Sequence, residues 1–100
     1  MTIYQFGMLS KKTVTLDGNI LSIKGVITNK IDLNIKNIHV AYIVTPSLSR
    51  NGTVYFSTDG KDTPNAIITK NGFMYTKKQL KEVQSLIKEA GIKAIYSDSQ

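Results

Sequence analysis

His39 is the only histidine in 100 residues, and there is no cysteine. A catalytic base must lie within hydrogen-bond reach of the proton it takes and needs a partner to orient it. Alternation along Ile38–Val44 puts Ile38, Val40, Tyr42 and Val44 on one, inward face. His39 then points the other way and reads as an exposed strand residue. One imidazole and no thiolate leave no transition-metal set. Asp59 and Asp62, with Gly60 between them, suggest a calcium loop only loosely, because the EF-hand spacing and its closing glutamate are missing. Neither GxGxxG nor GxxxxGK[ST] occurs, so no glycine-rich phosphate cradle is encoded. The seven acids are scattered, and Glu82 and Glu89 stand seven apart as solvated helix residues. The expectation is a protein that is not an enzyme, with no cofactor and no metal.

The chemistry that remains is charge. The net charge is +6, carried by twelve lysines and a single arginine, Arg50. A basic surface favours acidic partners: nucleic acid, anionic lipid or acidic protein. The scarcity of arginine weakens the case for bidentate recognition of guanine or phosphate. Lys77 and Lys78 fall in the first turn of the predicted helix, where positive charge opposes the helix dipole. Lys81 and Lys88 continue that basic face. Tyr42, Tyr55 and Tyr75 have rings on which single-stranded bases can stack, but the paired aromatic signatures of RNA-binding sheets are absent. Tyr42 is assigned to the core and Tyr55 to the outside. The candidate binding residues are therefore Lys77, Lys78, Lys81 and Tyr55.

The elements that must position these side chains read mostly as strands. Thr13–Leu16 and Asn19–Lys24 flank Asp17-Gly18, a strong hairpin signal because tight hairpin turns need positive φ. Val14, Leu16, Leu21 and Ile23 should face inward. Lys30–Ile35 alternates without a fault, with Ile31, Leu33 and Ile35 on one side. Ile38–Val44 follows, and Pro46 ends it. Thr53–Ser57 has Val54 and Phe56 inward. Asp59–Asn65 is a polar loop. Ala66–Thr69 and Phe73–Tyr75 are joined around Asn71-Gly72, which brings the strands to seven. Thr76 to Gln79 fits a capping box. Leu80, Val83, Leu86, Ile87 and Ala90 then form a stripe at steps of three and four, and Gly91 is placed to end the helix in a left-handed conformation. Ile92 and Ile95 pack the tail back, and Tyr96–Gln100 is expected to fray.

One hundred residues at 41% hydrophobic and 20% charged make one ordinary domain. Residues 1–10 lack a secretory leader pattern. No apolar run approaches the roughly 20 residues of a membrane span. With no cysteine, a cytoplasmic location is expected, and Asn51-Gly52-Thr53 reads as a turn instead of a glycan site. Thirteen isoleucines and seven asparagines suggest an AT-rich genome.

The second half resembles a bacterial family of pleckstrin-homology-like (PH-like) domains of unknown function. The resemblance rests on Gly52, Phe56, Ser57 and Thr58, then on Tyr75, Thr76, Lys77, Lys78 and Gln79. The opening Thr13–Gly18 resembles the family's first hairpin. It covers residues 12–92, leaving 1–11 as an N-terminal extension and 93–100 as a tail. It implies an α+β, mainly β fold: a seven-stranded antiparallel bent sheet, or partly open barrel, capped by one C-terminal helix. Members often carry a short helical C-terminal (SHOCT) tail, which this chain, ending at Gln100, is expected to do without. The family has no assigned catalytic residues, and some bacterial domains of this type self-associate. PH-like folds that hold inositol phosphates place cations in the first hairpin loop. Here that loop is Asp17-Gly18-Asn19, so phosphoinositide binding is disfavoured. The expected function is a non-enzymatic interaction module that binds a protein partner or itself, through a sheet edge and the surface near the helix. The alternative is a small basic nucleic-acid-binding regulator from a phage or mobile element.

Overall fold

The segment 1–11, expected as an extension, contributes a strand. β1 (Thr2–Phe6) runs antiparallel to β2 (Lys12–Asp17), with Tyr4 opposite Val14. This computed structural model describes residues 1–8, 11–27, 29–60 and 71–98. β2 turns into β3 (Ile20–Gly25) through a two-residue loop, with Asp17 opposite Ile20. Gly18 has φ 60°, and among the described residues no non-glycine residue has positive φ. Positive φ at the first central position alone is the type II′ pattern, whose twist suits a hairpin. β4 (Ile31–Asn34) pairs with β3 and ends in a 3-10 turn over Ile35–Asn37, where the Asn34 side chain accepts the Lys36 N–H.

β5 (Val40–Thr45), β6 (Gly52–Ser57) and β7 (Gly72–Tyr75) form an antiparallel meander. Thr76 and Gln79 form the expected capping box at a short 3-10 turn, which leads into α1 (Leu80–Ala90). Val83, Leu86 and Ile87 are buried on its apolar stripe, with Leu80 and Ala90 packed beside them. Gly91 caps the helix at φ 69°, ψ 30°, and its N–H donates to the Ile87 carbonyl at 3.0 Å. That is the left-handed exit its position predicts.

The helix is not the last element. β8 (Ala94–Asp98) follows it and adds to β5 in parallel, with Ala41 opposite Ala94. The frayed tail and the all-antiparallel sheet are thereby corrected. The physical reason is that Ala94–Asp98, which runs from apolar to polar without alternating, lies beside the edge of β5 that β6 leaves open. The described strands form two four-stranded sheets, ordered β1-β2-β3-β4 and β7-β6-β5-β8, and they do not close into a barrel. The expected strand Ala66–Thr69 lies outside the described residues.

One core lies between the two sheets and the helix. Val14, Leu21 and Ile23 come from the first sheet, Ile43, Val54 and Phe56 from the second, and Val83 and Leu86 from α1. Each such side chain contributes about 1.5–3 kcal/mol by leaving water. Phe6 stacks on Phe73 with ring centroids 4.5 Å apart, joining the two sheets through their edge strands. At the same seam Lys12 Nζ donates to the Gly72 carbonyl at 2.9 Å.

The phase of β5 differs from expectation. Ala41 and Ile43 are buried in the core, whereas of the expected inward set Val40 is buried and Tyr42 and Val44 are only half-buried on the opposite face. The run Val40–Val44 is apolar at every position, so either phase buries apolar groups and alternation cannot choose. The 3-10 turn at Ile35–Asn37 resets the register before Ile38, which is itself buried. The small Ala41 then faces the core, and the Tyr42 hydroxyl reaches outward to the Gly60 carbonyl at 3.3 Å.

Candidate functional site

The β6–β7 register places Gly52 opposite Tyr75, so Asn51 and Lys77 emerge at the same end of the second sheet. The loop from Pro46 to Asn51 is drawn together by the Ser47 N–H, which donates to the Arg50 carbonyl at 3.0 Å. Between this loop and Lys77 lies an open groove of about 350 Å³, lined by Pro46, Ser47, Leu48, Ser49, Arg50, Asn51 and Lys77. Its described lining contains two cations and no acid. Among the described residues neither Arg50 nor Lys77 has a carboxylate partner; the ion pair that does form, Lys30–Asp32 at 3.8 Å, lies elsewhere and is solvent-exposed. Leu48 is 100% exposed at the loop tip.

Of the four residues singled out from sequence, the groove gathers one. Lys77 lines it, while Lys78 and Lys81 are exposed on the helix entry but outside the lining. Tyr55 is half-buried on the outer face of the second sheet, opposite Tyr42 on one side and Gly72 on the other. It stands three residues along β6 from Gly52, about 10 Å at strand rise. Arg50 was visible in sequence only as the sole arginine; what pairs it with Lys77 is the long-range register.

The second candidate surface is the edge of β8. Its burial falls away along the strand, with Ile95 44% and Tyr96 47% exposed. The Ala41 N–H donates to the Lys93 carbonyl at 2.8 Å. Peptide groups alternate in direction along a strand. Lys93, Ile95 and Ser97 therefore turn their backbone groups to β5, and Ala94, Tyr96 and Asp98 turn theirs outward. Among the described strands none pairs with that outer side. β4, also an edge, carries the Lys30–Asp32 pair, a charge pattern that discourages strand addition. β8 has an isoleucine and a tyrosine in the corresponding place.

Several titratable groups have structural roles. The Glu89 carboxylate accepts hydrogen bonds from the Thr2 hydroxyl and from the Tyr4 hydroxyl, the latter at 2.8 Å. These two bonds, Thr2 first, hold the Glu89 carboxyl below its usual range. Glu89 is therefore bonded across to β1 and is not the merely solvated acid expected from spacing. Burial and then the Glu89 bond push the Tyr4 phenol up. Desolvation at the sheet seam lowers the Lys12 ammonium. Burial, with a lesser contribution from Tyr96, pushes Tyr75 up to about 12.

His39 is exposed, and its backbone N–H donates to the Ser57 carbonyl at 2.8 Å. The Asp59 carboxylate accepts from the Ser57 hydroxyl at 3.1 Å, and Asp62 lies outside the described residues. Among the described residues no three His, Cys, Asp or Glu side chains cluster as a metal site. None of their helices is long and apolar enough to cross a membrane. No protein-family model, no curated protein and no solved structure matches the chain.

Proposed function

We propose that this protein is a cytoplasmic, non-enzymatic interaction module of PH-like type. It takes an extended segment of a protein partner, or of a second copy of itself, by strand addition along β8. The observation that carries the reading is the outward backbone of Ala94, Tyr96 and Asp98 on an edge bearing exposed Ile95 and Tyr96. Strand addition draws its affinity from such main-chain groups and its selectivity from the flanking side chains. The two-residue, uncharged Gly18-Asn19 loop argues against an inositol phosphate as the ligand.

Tyr96→Pro tests the reading. It deletes one outward N–H while leaving untouched the groups that bond β5, and proline is tolerated at a strand edge facing solvent. Wild type and variant would be compared in pull-downs from bacterial lysate with and without nuclease, and in sedimentation for self-association. Nuclease-resistant capture or self-association that disappears in the folded variant is the expected result. Binding that survives Tyr96→Pro unchanged would remove the edge from consideration.

The second reading, a basic nucleic-acid-binding regulator of phage or mobile-element type, is favoured by the net charge of +6 and by Arg50 and Lys77, which have no carboxylate partner among the described residues. It predicts capture that nuclease abolishes and an affinity that falls steeply with salt through counterion release.

A further inference from the structure

We infer that the groove between the β5–β6 loop and the helix entry is a docking site for an acidic peptide segment carrying an aliphatic residue beside its carboxylate. The inference rests on the interaction-module reading but uses a different surface, so the two can fail separately.

The groove has a charge that no described carboxylate answers. Arg50 and Lys77 face a space of about 350 Å³ with no acid among the described residues that line it. The guanidinium offers a planar fork that suits a carboxylate, and the ammonium adds a compact second charge. Ser47, Ser49 and Asn51 supply neutral hydrogen-bonding groups around them. The rim is not wholly polar: Leu48 is 100% exposed and Pro46 lies beside it. A free anion such as phosphate would use the cations and leave Leu48 in water. A single-stranded nucleic acid would look for stacking faces, and the lining has no aromatic ring. A peptide with alternating acidic and aliphatic residues engages both halves of the groove.

The test uses the full chain and four probes: a labelled peptide of alternating glutamate and leucine, its glutamine–leucine counterpart, inorganic phosphate and a single-stranded oligonucleotide. The glutamate peptide should bind at low salt, weaken as salt rises, and shift backbone amides of residues 47–51 and Lys77 in nuclear magnetic resonance spectra. Arg50→Glu with Lys77→Glu should weaken it by about tenfold or more, and Leu48→Ala by severalfold. All three positions are exposed, and circular dichroism checks that each variant is folded. The inference is overturned if the glutamine peptide binds as well as the glutamate one, or if phosphate or oligonucleotide binds the groove more tightly. It also falls if the charge-reversed variant binds unchanged; loss in Tyr96→Pro alone would leave only the strand-addition reading.

Discussion

Gly52 and Tyr75 share one position across the β6–β7 ladder: a Cβ on Gly52 would lie 2.4 Å from the Tyr75 ring and 2.6 Å from the Val44 carbonyl oxygen. The ring fills the space that glycine leaves, and its hydroxyl donates to that same Val44 carbonyl at 3.0 Å. Gly52→Ala should therefore force the ring out or push β5 and β6 apart. The expected cost is about 1–3 kcal/mol, typical of overpacking, which for a domain of this size lowers the melting temperature by several degrees per kcal/mol. An unchanged thermal transition would contradict the packing.

Tyr75 should ionise late. Its phenol is held up to about 12, against an ordinary 10.0. The folded state therefore keeps its proton more tightly than the unfolded chain. This contribution to stability is full below pH 10 and is lost as pH climbs through 12. Ultraviolet titration should show a tyrosine step near pH 12 that Tyr75→Phe removes. If Tyr75→Phe leaves the titration curve unchanged, the phenol is not protected.

The Glu89 bonds to Thr2 and Tyr4 tie the helix to β1 and should make stability depend on acid. The folded carboxyl lies below the unfolded value, so the contribution is present above pH 4.5 and fades as pH falls through the lower folded value. Denaturation curves of Glu89→Gln should lose part of the acid limb seen in wild type. Coincident acid limbs would show that the latch contributes nothing.

Gln79 joins two parts of the chain far apart in sequence. Its Oε1 accepts the Thr76 N–H and the Gly7 N–H, each at 3.0 Å. Gln79→Ala leaves two part-buried donors without this acceptor and should cost about 1–3 kcal/mol. Gln79→Glu keeps the acceptor and places negative charge at a helix start, where it is favoured, but it loses the Nε2 donation to the Gly7 carbonyl at 3.5 Å; it should fall between Gln79→Ala and wild type. Equal losses in both variants would point to side-chain packing instead.

Local rules carried the first hairpin and the helix. Asp17-Gly18 forced a turn, Thr76 and Gln79 formed a cap, and Gly91 left the helix with positive φ. Those features depend on residues within a few positions of each other, which is why they were legible. The phase of β5 was not, because Val40–Val44 has no polar residue to mark the outer face. β1 was left open because its run marks no clear alternation, although it pairs with the neighbouring β2, and β8 was missed because it becomes a strand only where the distant edge of β5 accepts it. The candidate site divides the same way. Lys77 was recognisable beside the cap, but its pairing with Arg50 depends on Gly52 standing opposite Tyr75.

β8 meets β5 across a wide stretch of chain, Ala41 opposite Ala94, 53 residues apart (94 − 41). Pairings of such separation are slow to close because loop entropy must be met before they stabilise anything. With four of its five residues exposed, β8 also has little burial to hold it and should open well below the cost of global unfolding. Each opening uncovers the edge of β5 itself, whose N–H and C=O groups are already set for a parallel neighbour. An incoming segment thus has two routes: to lie beside β8 as a fifth strand, or to take its place by strand exchange. Deuterium uptake at the amides of Ala41, Ile43 and Thr45, which face β8, distinguishes them, since only replacement leaves those amides exchanging while the partner arrives.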